Sequence, residues 1–335
     1  VMGRSNLEVV TNATVHRLVL DGKRAAGIEF SRDGKTERAD ANAEVILCAG
    51  AIGSPHILQL SGIGDPNHLA QIGIEIEHDL KGVGKNFQDH FIVRVQADVQ
   101  NIATLNERSR GIRFAGELMK YALSGTGMLT YAASLLAASV KVLPESATPD
   151  VQALFSSASF ALGPKRVLDK TPGMTSGVWQ MRPESRGYVK AVSADPHTQP
   201  TINPNYMAED RDRRTVVAGL RMVRDWFNAP ALKQYLRAEK FPGAELQSDD
   251  ELLAYAREMG STVFHATCSC KMGNDPLAVV DDQLRVHGIN DLRVIDASVM
   301  PAVTSTNTNA PTIMIAEKGA DMIKEASTGS QGVAA

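Results

Sequence analysis

The hydrophobic positions of this chain follow three rhythms. Residues 6–30 alternate β-branched and polar side chains, with Asp21-Gly22 between two runs and Asp33-Gly34 after the second. Period-two alternation broken by such dipeptides predicts a small antiparallel meander. "AEVILCAG" (43–50) is instead a short, continuous apolar run ended by Gly50. That pattern fits a strand buried on both faces, as in a parallel sheet. Ser54 then suits an N-cap and Pro55 the first helical position, where its missing N–H costs nothing. A strand would thus feed a helix through "AGAIG", a turn almost free of side chains. The N–H groups and positive dipole end of that helix would admit a large, anionic group close to the backbone.

The middle of the chain, about 91–260, lacks this strand-to-glycine punctuation. Alternating runs ("VQALFSSASF", "RGYVKAV") mix there with helical ones, among them the amphipathic "EDRDRRTVVAGLRMVRDWF". Ser248 and Glu251 form a capping box for "ELLAYAREM", and Gly260 stops that helix. The end returns to the opening rhythm. "DLRVIDAS" is a second buried-strand pattern, and "TNTNAPTIMIAEKGADMIKEA" starts a helix with Pro311 in its first turn. Two strand–turn–helix units flanking an insertion predict one discontinuous domain, 1–90 plus 262–326, around an inserted α+β domain, 91–261. The tail "STGSQGVAA" (327–335) is expected to be disordered.

Composition narrows the function. A length of 335 residues allows about two domains. A net charge of −3 and a pI near 6.3 exclude the basic footprint of a nucleic-acid partner. The most apolar stretch, Tyr131–Leu143, is too short to span a bilayer. Three cysteines make no disulfide framework at this size, which favours a reducing compartment. The abrupt strand-like beginning suggests a fragment.

"STVFHATCSCKMG" holds His265, Cys268 and Cys270. H-x-x-C-x-C offers three metal ligands where a structural zinc wants four, and His287 is the only nearby candidate for the fourth. The other reading makes His265 a general base and the cysteines packing. Asn307 and Asn309 precede Pro311 at a helix start. One reads as an N-cap, or Asn309 as a hydrogen-bond partner beside developing negative charge, such as a reduced flavin ring; the pattern leaves both open.

Five segments in order, "AGAIGSPHILQLSGIG", "GVGKNFQDH", "HATCSCKMG", "LRVIDASVMP" and "NTNAPTIMIAEKGADMI", resemble the glucose–methanol–choline (GMC) oxidoreductases. The nearest likeness is to choline-dehydrogenase-like bacterial alcohol dehydrogenases. The resemblance implies FAD as cofactor and hydride transfer from a primary alcohol to flavin N5, giving the aldehyde. It also implies an electron acceptor, quinone or oxygen, and a place in the cytoplasm or at the surface of the inner membrane. It puts His265 at the catalytic base position and Asn309 at the second active-site position. Val15 falls at the adenine end of FAD. Asp296, Ala297, Asn307 and Thr308 fall near pyrophosphate and isoalloxazine, and Ala49 and Gly50 in the FAD-facing turn. The implied fold is a partial, discontinuous α/β FAD-binding domain with an inserted α+β substrate-binding domain.

Two departures qualify this. Gly62-Ile-Gly64, Gly82-Val-Gly84 and Gly125-Thr-Gly127 all lack the third glycine of G-x-G-x-x-G and its βαβ setting. The chain is therefore expected to lack the main phosphate cradle and, alone, to be inactive. Choline-oxidising relatives carry a Glu in the stretch matching "TYAASLLAAS", where this chain aligns Leu135. An uncharged, apolar or aromatic alcohol is expected rather than choline. The alternatives are an FAD-containing hydroxynitrile lyase and a non-enzymatic metal-binding domain.

Overall fold

The computed structural model describes residues 2–132, 134–161 and 167–331, with side chains to residue 327. The chain forms two units: Val1–Asp89 with Ser185–Tyr206 and His265–Ala335, and His90–Glu184 with Met207–Phe264.

The first unit begins with the expected meander, β1 (Ala13–Asp21), β2 (Arg24–Arg32) and β3 (Lys35–Asp40), paired antiparallel in the order β1-β2-β3. Val15 pairs with Phe30 just before a bulge that takes His16 out of the ladder. Next come β4 (Val45–Leu47), α1 (Gly50–Leu60), β5 (Ile63–Gly64), α2 (Pro66–Gln71) and β6 (His78–Asp79). The helix α1 starts five residues earlier than the Ser-Pro signal predicted. Ser54 is therefore no N-cap, and Pro55 lies inside the helix. The vacancy this creates is filled. Ala51 C=O, four residues before Pro55, accepts a bond from Ser269 Oγ at 2.6 Å. The strand β4 is also less buried than its pattern implied: Leu47 is in the core, but Ile46 is 40% exposed. Among the described residues β4 pairs with one strand only, so its other edge has no strand partner.

The second unit is built on a six-stranded antiparallel sheet. Its elements in chain order are β7 (Phe91–Val99), α3 (Leu105–Arg108), α4 (Gly111–Ser124), β8 (Leu136–Val140), β9 (Val151–Ser156) and β10 (Gly173–Gln180). The chain then returns to the first unit for a hairpin, β11 (Tyr188–Lys190) and β12 (Thr201–Asn203). The second unit resumes with α5 (Asp210–Asn228), α6 (Pro230–Lys233), β13 (Leu236–Phe241), α7 (Asp249–Met259) and β14 (Ser261–Thr262). Strand order is β13-β7-β10-β9-β8, with β14 on β7. Every residue of β10 is buried. The apolar stripe of α5 (Val216, Val217, Leu220, Val223, Phe227) packs into the core with Val93, Val95 and Val178. The capping box of α7 forms as its sequence predicts, with Ser248 Oγ accepting from Glu251 N–H.

The hairpin β11–β12 lay inside the expected insertion. Gln59 of α1 ties it to the first unit, donating to Val189 C=O at 3.0 Å and accepting from Ala191 N–H at 2.7 Å. The first unit closes with β15 (Leu292–Val294) and α8 (Asn309–Gln331). As the two buried-strand patterns predict, β15 pairs parallel with β4. The expected tail begins too early: α8 continues through 327–331, and 332–335 lie outside the described residues.

Candidate active site

Four stretches of the first unit converge on His265. The segment "GVGKNFQDH" arrives first, and Gly84 explains its glycines. With φ 77°, a Cβ there would stand 2.1 Å from Val189 C=O, so only glycine lets these backbones meet. Phe87, Gln88 and Asp89 are all buried. Gln88 and Thr267 exchange main-chain bonds of 3.1 and 2.9 Å, which fixes the His265 turn against this segment. Asp89 Oδ1 accepts the main-chain N–H of His265 at 2.8 Å, and Oδ2 accepts the hydroxyl of Tyr206 at 2.5 Å.

The last stretch carries Asn307. Gln88 Oε1 accepts the N–H of Val303 at 3.1 Å, tethering the loop that leads there. The Asn307 amide nitrogen lies 3.2 Å from His265 Nε2. With the amide as donor, Nε2 is the unprotonated ring nitrogen. His265 is 7% exposed. Burial lowers its pKa below the ordinary imidazole value, and the Asp89 carboxylate partly opposes this. The ring is therefore neutral near pH 7 and able to accept a proton.

Of the two asparagines, Asn307 and not Asn309 hydrogen-bonds His265 in this structure. Asn309 begins α8, is exposed, and makes no side-chain hydrogen bond among the described residues. The two differ by two positions, and a sequence pattern of alternating Asn and Thr gives no register. Thr308 between them is buried, its C=O accepting from Thr312.

Asp296 is turned into the protein. Its Oδ2 accepts from Gly50 N–H (2.9 Å) and Ser54 Oγ (2.5 Å), and its Oδ1 from Ser298 N–H (2.8 Å). It locks the turn after β4 to the turn after β15. Ala297 lies in the short 3₁₀ turn Ala297–Val299, against which the His265 segment is laid by Cys268 N–H to Ala297 C=O (3.3 Å) and Cys270 N–H to Ser298 C=O (2.9 Å). The cysteines do not converge with His265. Cys268 packs with Met300 and Val303, Cys270 joins the main core, and Cys268 Sγ donates to Thr267 Oγ1. Among the described residues no three His, Cys, Asp or Glu side chains are placed to hold a metal ion.

Sequence reasoning missed Gln88, Asp89 and Tyr206. The first two lay in a quoted motif, and their signal was adjacent polar residues in an otherwise buried segment. Tyr206 carries no comparable signal.

Two family models, both described as GMC oxidoreductase, match residues 1–92 and 183–316. The chain belongs to the GMC oxidoreductase family. It is 40% identical over 321 residues to an oxygen-dependent choline dehydrogenase of Burkholderia multivorans, covering 96% of this chain and 56% of that one. The corresponding protein of Paraburkholderia phytofirmans is 39% identical over 320 residues, covering 96% and 57%. The chain therefore spans little more than half the length of these curated relatives. Among solved structures, a formate oxidase superposes with TM-score 0.89 at 26% identity (98% of this chain, 63% of that one). A pyridoxine 4-oxidase from Mesorbium loti gives 0.81 at 26% (96% and 59%).

FAD is the cofactor that GMC membership carries, and this GMC chain's surface accommodates it. Cys48 and Ala49 are exposed at the end of β4, and at Gly50 (φ 77°) the space a Cβ would take is open. The Gly50 N–H is committed to Asp296 and the Ala49 N–H to Ser54 Oγ at 3.1 Å, so the open space over the turn, not free N–H groups, is what would admit a cofactor. The buried hydroxyl of Thr304, three residues before Asn307, has no partner among the described residues. An open turn and one orphaned hydroxyl are what an approaching polar ring system uses.

Proposed function

We propose that this chain carries the proton-accepting half of an FAD-dependent oxidation of a primary alcohol to the aldehyde. The observation that carries the reading is the His265–Asn307 pair, a neutral, buried imidazole whose Nε2 is presented to an amide. His265 accepts the hydroxyl proton of the alcohol at Nε2. Asn307 orients the ring and, as the proton leaves, can donate its amide N–H to the developing alkoxide instead. Asp89 and Gln88 hold the two partners. Bound FAD supplies the acceptor for the two electrons of the carbinol carbon. Val15, Ala49, Gly50, Ala297 and Thr308 are the chain's own contributions to holding it, with Asp296 shaping the turn.

The substrate is an uncharged, apolar or aromatic alcohol. The stretch 131–140, which aligns Leu135 where choline-oxidising relatives place a carboxylate, contains no acidic residue, so a quaternary ammonium would find no counter-charge there. The test is anaerobic stopped-flow reduction of the FAD-loaded full-length protein by benzyl alcohol and by choline. Faster bleaching by benzyl alcohol is expected. Faster bleaching by choline would overturn the substrate class, and bleaching by neither would overturn alcohol oxidation.

A further inference from the structure

We propose that Asp89 is the positioning residue of this site: a buried carboxylate, clamped by Tyr206, that fixes His265 through its main-chain N–H and so keeps Nε2 on the Asn307 amide. The inference rests on the reading of His265 as proton acceptor. Asp89 is 5% exposed, and its two oxygens take donors from two distant stretches of chain, the Tyr206 hydroxyl and the His265 N–H. A carboxylate in such a setting is costly to bury unless its acceptor sites are used. The bond to His265 is to the backbone of the residue itself, so it sets where the ring is anchored, not merely where the ring points.

The neighbouring bonds make this anchor specific. Gln88, one residue earlier, holds Thr267 by two main-chain bonds and Val303 by its side chain. The Gln88-Asp89 dipeptide therefore grips both sides of the pair, His265 from Asp89 and the Asn307 loop from Gln88. A misplacement of about 1 Å at such a pair can cost about 100-fold in rate. Arg186 also bears on this corner. It acts on Cys268 and bonds Asn86 Oδ1, whereas the charge acting on the imidazole is that of Asp89. Tyr206 and Asn307 also face in.

Positioning and mere support of the fold predict different behaviour. In Asp89→Asn the bond to the His265 N–H can persist through the amide oxygen, but the negative charge is gone. In Tyr206→Phe the charge stays and loses the hydrogen bond that spreads it. The experiment follows the His265 imidazole by ¹⁵N NMR titration in the FAD-loaded full-length protein, assigned by the signal lost in His265→Gln, together with stopped-flow reduction by benzyl alcohol. We expect the His265 midpoint to move to lower pH in Asp89→Asn and to higher pH in Tyr206→Phe. We also expect the limiting rate to fall at least about 10-fold in Asp89→Asn.

An unmoved midpoint in Asp89→Asn would overturn the proposal. So would rate losses in both variants that only track the fraction of folded, FAD-bound protein. If Asp89→Asn does not fold, the direction of the Tyr206→Phe shift decides. Wild-type reduction by His265→Gln would instead remove His265 as acceptor, while the titrations would still judge the Asp89 clamp.

Discussion

Asn307 meets His265 across 42 residues of chain, its amide nitrogen 3.2 Å from Nε2 of the ring. The bond requires Nε2 to be unprotonated, and burial favours that same state. A base whose pKa is lowered by burial stays competent at pH values where a free imidazole is already protonated. Flavin reduction should therefore be flat above the lowered pKa and fall about tenfold per pH unit below it. The acid limb is expected below the ordinary imidazole value of about 6.5. His265→Ala should remove the limb and slow reduction at least about 100-fold while FAD stays bound. A limb that survives in His265→Ala would assign the proton acceptor elsewhere.

The neighbouring asparagines should separate by kinetics. Asn307→Ala removes the partner of His265 and should lower the limiting rate of reduction about 10- to 100-fold. Asn309→Ala touches an exposed side chain at the start of α8. Its cost should be confined to stability, within the roughly 0.5–2 kcal/mol of a lost cap. Parallel thermal melts and stopped-flow traces of the two variants check this, and a kinetic defect confined to Asn309→Ala would restore it as the second active-site residue.

Pro55 and Ser269 should be thermodynamically coupled. Ser269→Ala strips the only side-chain partner that Ala51 C=O has among the described residues, a group that Pro55 cannot serve. The orphaned carbonyl should cost about 1–3 kcal/mol. In Pro55→Ala the restored N–H at position 55 can bond Ala51, so Ser269→Ala on that background should cost less. A double-mutant cycle by urea denaturation measures the coupling, and additive losses would show that Ser269 matters for another reason.

What was legible in the sequence was whatever rests on local pattern. The meander, the two parallel strands β4 and β15, the amphipathic α5 and the capping box of α7 each follow from spacing or from a turn dipeptide. The start of α1 did not, because Ser-Pro is a strong local signal and the residue that overrides it, Ser269, is 218 residues away. The Asp296 locks, the Asp89 clamp and the pairing of Asn307 are likewise long-range. They depend on which backbones come together, and no periodicity encodes that. His265 was recognisable as a candidate base through its motif, whereas the residue it faces needed three-dimensional placement.

The cysteines offer the last test, since it separates packing from metal binding in one experiment. Burial pushes the Cys268 thiol up to about 12, and raises Cys270 well above the ordinary thiol value. Both therefore stay protonated at pH 8, and a protonated thiol is neither a good nucleophile nor a metal ligand. Cys48 is exposed, and its pKa is raised by burial of the thiol and by the nearby Asp296 carboxylate. Iodoacetamide at pH 8 should thus modify Cys48 slowly and leave Cys268 and Cys270 intact until the first unit unfolds. Mass spectrometry after trypsin digestion reads all three sites. Replacing Cys268 and Cys270 together by Ala removes two buried sulfurs, at a cost on the order of 1 kcal/mol each. The double variant should still bind FAD and reduce it with the wild-type rate constant. Prompt labelling of Cys268 in the native protein, or one zinc per chain that departs in the double variant, would replace the packing role with a ligand role.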